Sequence, residues 1–206
     1  MVEKRIPNMT SVNLKAERMH PPRPTELAHT LLSEVIRKGD SVVDATCGNG
    51  HDTIVLAALT GEQGKVIAYD IQEAAIRETA ALAKHAGFQD RIILQLKSHA
   101  RMTEDVEAQS VRAIAFNLGY LPGEDHGITT ISEETLKALD AASQVLMPSG
   151  AISIVCYPGH GEGTREAERV EAWVEQLPEK GWRVAKYAMV GTRKPAPFLL
   201  FALKGE

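Results

Sequence analysis

Ser41-Val42-Val43-Asp44-Ala45-Thr46-Cys47-Gly48-Asn49-Gly50-His51-Asp52-Thr53 is the stretch on which the fold turns. It opens with a short β-branched run, the composition of a buried strand. Gly48 and Gly50 follow at a spacing of two. Such a pair lets the backbone turn sharply and approach a ligand closely. Residues 53–59 are then apolar and read as a helix. A strand, a glycine turn and a helix in that order aim the helix's free N–H groups at whatever occupies the turn.

Outward from this turn the chain alternates. Upstream, Leu27, Leu31, Leu32, Val35 and Ile36 share a helical face, with Thr25 as the expected N-cap and Gly39-Asp40 as the stop. Downstream, 65–70 reads as a strand, 72–85 as an Ala-rich helix ended by Gly87, and 91–96 as a third strand. A short helix is expected at 103–108, a strand at 111–117 and a Gly/Pro loop at 119–127. A helix at 132–146, a strand at 151–157 and a helix at 162–177 follow. Residues 182–190 and 198–203 read as closing strands around Lys194-Pro195-Ala196-Pro197.

Strands separated by helices imply βαβ units and a parallel sheet covered on both faces. The last two strands have no helix between them and should pair antiparallel. The expected fold is therefore α/β: a Rossmann-like, mostly parallel seven-stranded sheet with an antiparallel last strand, the class I methyltransferase pattern. His20-Pro21-Pro22-Arg23-Pro24 disfavours helix. Residues 1–24 are thus expected to be an N-terminal arm, and 25–206 a single α/β domain.

A chain of 206 residues suits one core, and its net charge of −4 argues against a broad electrostatic hold on nucleic acid. A local one stays open. Lys4, Arg5, Lys15, Arg18, Arg23 and Arg37 lie near one end, and Arg183, Lys186, Arg193, Lys194 and Lys204 near the other. They would form a modest basic rim if the two regions meet, and are scattered solvated charges if they do not. No apolar run approaches the roughly 20 residues of a membrane helix. The N-terminus also lacks a signal peptide's apolar core, so a cytoplasmic location is the default. Cys47 and Cys156 are expected as free thiols, and no Cys/His spacing resembles a zinc site.

A dinucleotide loop needs a third glycine, so that pyrophosphate can lie on the helix end. Thr53 stands there instead, and Asp44 and Asp52 flank the turn. Two carboxylates repel a pyrophosphate but favour a ligand carrying an ammonium and a sulfonium. S-adenosylmethionine is therefore the expected cofactor, with an NAD-dependent oxidoreductase as the rival. Asp70 ends the second strand 20 residues after Gly50, a spacing that suits a carboxylate on both ribose hydroxyls. It also suits a plain helix cap. Gln72 is within reach of the ribose or the adenine edge. Ser98-His99 lies past the third strand, at the expected level of adenine.

Asn117-Leu118-Gly119-Tyr120-Leu121-Pro122-Gly123 follows the fourth strand, where open α/β sheets bind ligands. The loop is similar to the Asn-Pro-Pro-Tyr loop of amino-methylating enzymes, with Leu118-Gly119 in place of the prolines. An Asn carbonyl and a strand-end backbone carbonyl accept hydrogen bonds from an amine, and Tyr120 offers a flat face to a base. Tyr157-Pro158-Gly159-His160-Gly161 either closes the far side of this pocket or simply caps the next helix.

Together these motifs resemble the bacterial and plant proteins long labelled rRNA methylases and now understood as tRNA wobble-uridine methyltransferases. Members of that family convert 5-aminomethyl-2-thiouridine at position 34 to 5-methylaminomethyl-2-thiouridine. The resemblance spans roughly residues 25–203. It implies that Asn49, Asp52, Asp70, Gln72, Ser98 and His99 contact the cofactor. Asp44, Cys47, Gly48, Gly50, Thr53 and Ile71 complete the candidate cofactor set. Asn117, Leu118 and Tyr120 are the candidate catalytic residues. Gly119, Pro122, Gly123, Asp125, His126, Thr129 and Thr130 are the candidate substrate contacts, in a 119–130 loop that meets the tRNA anticodon loop. A homodimer is implied too. The chain departs from the family at Gly123-Glu124-Asp125-His126, where Gly-Gly-Asp is common, and at 190–194, where an Asn-Gln pair is common. Another RNA position, a small-molecule amine, or a cofactor-binding regulator without catalysis remain open at this point.

Overall fold

In the computed structural model, residues 20–119, 132–159 and 161–206 are described. Seven strands form one sheet: β1 (Ser41–Asp44), β2 (Lys65–Asp70), β3 (Ile92–Leu96), β4 (Val111–Leu118), β5 (Leu146–Cys156), β6 (Arg183–Ala188) and β7 (Phe198–Leu203). Their order across the sheet is β3-β2-β1-β4-β5-β7-β6. The first five run parallel, and β7 lies antiparallel between β5 and β6. The expected class I methyltransferase sheet is therefore the one the chain adopts.

Helices α1 (Pro24–Val35), α2 (His51–Thr60), α3 (Glu73–Ala86), α4 (Ser132–Val145) and α5 (Gly161–Val174) cover the two faces. Successive strand residues point to opposite sides. Val42 accordingly packs with Leu32, Leu56 and Ala83 beneath α1–α3, whereas Val43 packs with Leu139, Ile152 and Val170 beneath α4 and α5. Burial on both sides explains the largely apolar, buried stretches 113–116 of β4 and 151–156 of β5.

Boundaries differ from expectation in informative places. The first helix starts at Pro24, not behind an N-cap at Thr25, because Pro has no N–H to satisfy at that position and Glu26 Oε2 accepts from Arg23 N at 2.9 Å. It ends at Val35, ahead of Gly39. The turn expected at 103–108 is a 3-10 helix at His99–Glu104, capped by Ser98, whose Oγ accepts from Ala100 N at 3.2 Å. The fifth strand begins at Leu146, not at 151. A register shift opposite Val111 and Ala113 carries it through Pro148-Ser149-Gly150, with Ser149 at φ 58°. The fifth helix stops at Val174, and a separate 3-10 turn, Pro178–Lys180, follows it.

Strand order reverses between β1 and β4, which opens a crevice at the carboxyl edge of the sheet. Asp44 pairs with Ala68 on one side and Ala115 on the other. Asp70 and Asn117 therefore each stand two residues beyond Asp44, on opposite walls of that crevice.

Candidate active site

The turn after β1 is held from both neighbouring strands: Ala45 N donates to Ala115 O at 2.8 Å and Cys47 N to Tyr69 O at 2.9 Å. Gly48 and Gly50 take positive φ (48° and 84°). A Cβ on Gly50 would meet Thr79 Cα and Oγ1, each at 3.0 Å, so α3 packs directly against the turn. Thr79 Oγ1 also donates to Gly48 O at 2.9 Å. Asp70 ties the turn to the end of β2, accepting from Gly48 N at 3.0 Å and from Gln72 N at 2.9 Å. Each carboxylate oxygen keeps a second lone pair for a ligand hydroxyl. Ile71 beside it is 58% exposed, an apolar side chain left bare at the crevice. A positive-φ cradle, a tethered carboxylate and an apolar ledge fit a ligand with a ribose diol and a flat base.

The two acidic residues of the turn have different surroundings. Asp44 is 1% exposed and turned inward, accepting from Thr53 Oγ1 at 2.6 Å and Thr46 N at 3.2 Å. Burial, with the nearby Asp52 charge, pushes its carboxyl up to about 7. The folded state thus holds a proton that an unfolded chain releases near its ordinary value of 3.8. The sign follows from linkage. Asp44 favours folding most below that ordinary value, and its contribution is lost as pH rises towards about 7. In urea denaturation, wild-type stability relative to Asp44→Asn is expected to fall between about pH 4 and 7 and to level off above that. A constant difference across that range would contradict this picture.

Asp52, in the first turn of α2, sits among donors. His29 Nε2, from α1, donates to its Oδ1 at 2.6 Å, and Asn117 Nδ2, from β4, donates to its Oδ2 at 3.0 Å. Burial works to raise this carboxyl, but the bonds to His29 and Asn117 outweigh it and hold it below the usual range. The Asp52 bond raises His29 in turn, against the opposing effect of its partial burial.

Asn117 is fixed at its backbone as well, since its N–H donates to Thr46 Oγ1 at 2.7 Å. Its Oδ1 is buried with no partner among the described residues. Unpaired buried acceptors are costly, and a ligand donor is the direct way to satisfy one. Tyr157 closes this side: a Cβ on Gly119 would stand 3.5 Å from its ring. Burial and the Asp52 charge raise its hydroxyl, against the opposing effect of a hydrogen bond from the Asn117 side-chain amide nitrogen.

The other expected residues fall into place unevenly. His99 is 8% exposed; its Nδ1 bonds Ala45 O at 2.8 Å and its ring lies edge-on to Phe116, so it braces the turn from below. Ser98 Oγ donates to Glu134 Oε2 at 3.0 Å. Cys47 is buried, which pushes its thiol up to about 12 and keeps it neutral. Both cysteines are free. Tyr120, Pro122, Gly123, Asp125, His126, Thr129 and Thr130 lie outside the described residues, as does most of the expected arm. His29 and Thr46 were not legible as site residues; nothing local marks a histidine on an amphipathic helix 23 positions before its partner.

A contact joins the two ends of the chain, although Lys4, Arg5, Lys15 and Arg18 lie outside the described residues, Lys186 pairs with Glu171, and Arg183 lies at the opposite edge of the sheet. Tyr187 Oη donates to Pro22 O at 2.9 Å, joining the N-terminal segment to the β6–β7 hairpin. Ala188 and Phe198 pair level with Cys156, so the 189–197 loop leaves at the carboxyl edge. Arg23, Arg193 and Lys194 are exposed there, and no ion pair holds any of them among the described residues. Among those residues no helix is long and apolar enough to cross a membrane.

Sheet order and strand-end chemistry define the class of S-adenosylmethionine-dependent methyltransferases with a seven-stranded Rossmann-like sheet. Within that class, the chain belongs to the family described as "Putative rRNA methylase", which it matches over residues 66–203. It is 44% identical over 191 residues to the chloroplastic tRNA (mnm(5)s(2)U34)-methyltransferase of Arabidopsis thaliana, covering 88% of this chain and 69% of that protein. A structure bearing the family's description, from Clostridium thermocellum, superposes with a TM-score of 0.87 at 35% identity, over 90% of this chain and 100% of that one. A Streptococcus mutans structure, described as a "putative methyltransferase" in complex with SAH, gives 0.81 at 32% identity, over 90% and 99%.

Proposed function

We propose that this chain transfers a methyl group from S-adenosylmethionine to the aminomethyl nitrogen of 5-aminomethyl-2-thiouridine at wobble position 34 of tRNA. The observation that carries the reading is the Asn117 amide: its nitrogen is committed to Asp52, and its buried oxygen has no partner among the described residues. A lone acceptor at the end of β4 suits the N–H of an amine. The 44% identity to the plant tRNA methyltransferase supports the tRNA wobble base as the carrier of that amine.

In this reading Gly48, Asn49, Gly50, Asp70, Ile71, Gln72 and Ser98 hold the cofactor, with Asp44, Cys47, Thr53 and His99 shaping the turn from within and Asp52 committed to His29 and Asn117. When bound, the cofactor supplies an electrophilic methyl on a sulfonium sulfur. Only a neutral amine has a lone pair to attack with, so an alkylammonium must first lose a proton. Asn117 Oδ1 and the Leu118 carbonyl accept the amine's N–H groups and aim that lone pair. Solvent takes the alkylammonium's proton, and methyl transfer leaves S-adenosylhomocysteine and a secondary ammonium. Holding the two reactants in line lowers the barrier by on the order of several kcal/mol. Tyr157 and Gly119 border the base.

Arg23, Arg193 and Lys194 line the rim that takes the phosphates on either side of the wobble nucleotide. Arg193→Glu with Lys194→Glu is expected to weaken tRNA binding and lower its salt slope by about 1 to 2, with SAH affinity unchanged. Filter binding across a salt series reads this. Homodimerisation and a cytoplasmic location come to this reading from the family resemblance and the sequence's default; light scattering tests the first.

The deciding experiment incubates total tRNA, from cells that accumulate the aminomethyl nucleoside, with the protein and labelled S-adenosylmethionine. Digestion and mass spectrometry should then show 5-methylaminomethyl-2-thiouridine. Label in a different nucleoside, or in a small amine alone, overturns the substrate. Thermal stabilisation by NAD but not SAH overturns the class.

A further inference from the structure

We propose that His29 is a positioning residue for this reaction, acting through Asp52 to lock the Asn117 amide with its oxygen towards the incoming amine. The inference rests on the amine substrate proposed above.

A terminal amide has two nearly isosteric ends, and rotating it by half a turn exchanges an acceptor for a donor. With the nitrogen end towards the crevice, Asn117 would offer a donor to an amine whose lone pair must stay free for attack. The amide therefore needs a neighbour that tolerates only one orientation. An ionised carboxylate is such a neighbour, because it accepts and never donates. Asp52 Oδ2 lies 3.0 Å from Asn117 Nδ2 and dictates that the oxygen point away from it. The backbone of Asn117 is already pinned by Thr46, which leaves side-chain rotation as its remaining freedom.

Asp52 would itself rotate without an anchor on its other oxygen, and His29 supplies that anchor at 2.6 Å. His29 comes from α1, outside both the cofactor turn and the β4 loop. Its neighbours Ala28 and Leu32 are buried against the sheet, so the ring stands on a rigid support. The chain of contacts thus runs from a packed helix, through a carboxylate that must stay ionised, to the one buried acceptor with no described partner.

The test uses the full-length protein in four forms besides wild type: His29→Ala, His29→Gln, Asn117→Ala and the His29→Ala/Asn117→Ala double variant. With tRNA carrying 5-aminomethyl-2-thiouridine and saturating cofactor, His29→Ala should lower kcat by about tenfold or more, with SAH affinity changed less than threefold. His29→Gln keeps an N–H for Asp52 and should recover most of the lost rate. His29→Ala should cost nothing further in the Asn117→Ala background, since both act on one atom. In the free protein, labelled selectively with 15N-asparagine, the Asn117 side-chain NH2 signals should shift in His29→Ala and return in His29→Gln. An undiminished kcat, a loss confined to SAH affinity, additive losses in the double variant, or unmoved NH2 signals would each overturn the proposal. If wild type methylates no amine in tRNA, the substrate reading fails, and the NH2 signals still decide the lock.

Discussion

Asn117→Ala is expected to lower kcat for methyl transfer to tRNA by about 100-fold, while SAH affinity stays within a factor of about three. The substitution removes the buried Oδ1 proposed to meet the amine and leaves the fold of β4 intact, because the Asn117 N–H still donates to Thr46 Oγ1. It also strips Asp52 of one donor, though the His29 bond at 2.6 Å remains to hold that carboxylate ionised. A displacement of about 1 Å in the attacking atom is enough for a loss of this size, so the effect belongs in kcat. Asn117→Asp is expected to be no better. It sets a second carboxylate where the amide lay 3.0 Å from Asp52, and two like charges so close cannot both ionise. Single-turnover kinetics separate the chemical step from binding. If Asn117→Ala turned over at the wild-type rate, amine positioning would have to be assigned elsewhere.

The second large effect is expected at Asp70. Its two oxygens accept from Gly48 N at 3.0 Å and Gln72 N at 2.9 Å, which joins the glycine turn to the end of β2. Charge-assisted hydrogen bonds of this kind are each worth about 1.5–3 kcal/mol. Asp70→Ala frees both amides and removes the carboxylate from the crevice wall, so SAH affinity should fall by about 100-fold, or about 2.7 kcal/mol. Asp70→Asn should do little better, because its NH2 must face one of two N–H donors, and donor against donor is repulsive. Calorimetric titration with SAH tests both variants. Binding by Asp70→Ala within threefold of wild type would refute the assigned role. The folded chain itself should survive: Asp70 lies at a strand end, not within the apolar clusters on either side of the sheet.

What was legible beforehand follows from how local each signal is. The glycine turn is a local feature, since glycine accepts without strain the positive φ that Gly48 and Gly50 take here. Asp70 is marked by its place at the end of an apolar run, and Asn117 likewise. The sequence places the start of the fifth strand at 151, five residues beyond the observed Leu146. A bulge against Val111 and Ala113 carries the strand through Pro148-Ser149-Gly150, and a bulge depends on the partner strand. His99 reads as a cofactor contact from its place after β3, yet it is turned under the loop to Ala45 O by packing against Phe116. Asp44 and Asp52 are alike as carboxylates flanking a turn, but one is sealed in the core and the other joined to His29 and Asn117.

Periodicity, turn residues and strand-end carboxylates, all local, determined by themselves that this chain builds a parallel sheet with a closing hairpin and a cofactor turn after its first strand. Only tertiary structure decided which donors each carboxylate meets, that α1 contributes a histidine to the site, and that Pro22 rests on Tyr187 of the closing hairpin. The reason is physical: backbone preference acts over a few residues, whereas a side chain's charge and orientation are set by whatever the fold packs against it.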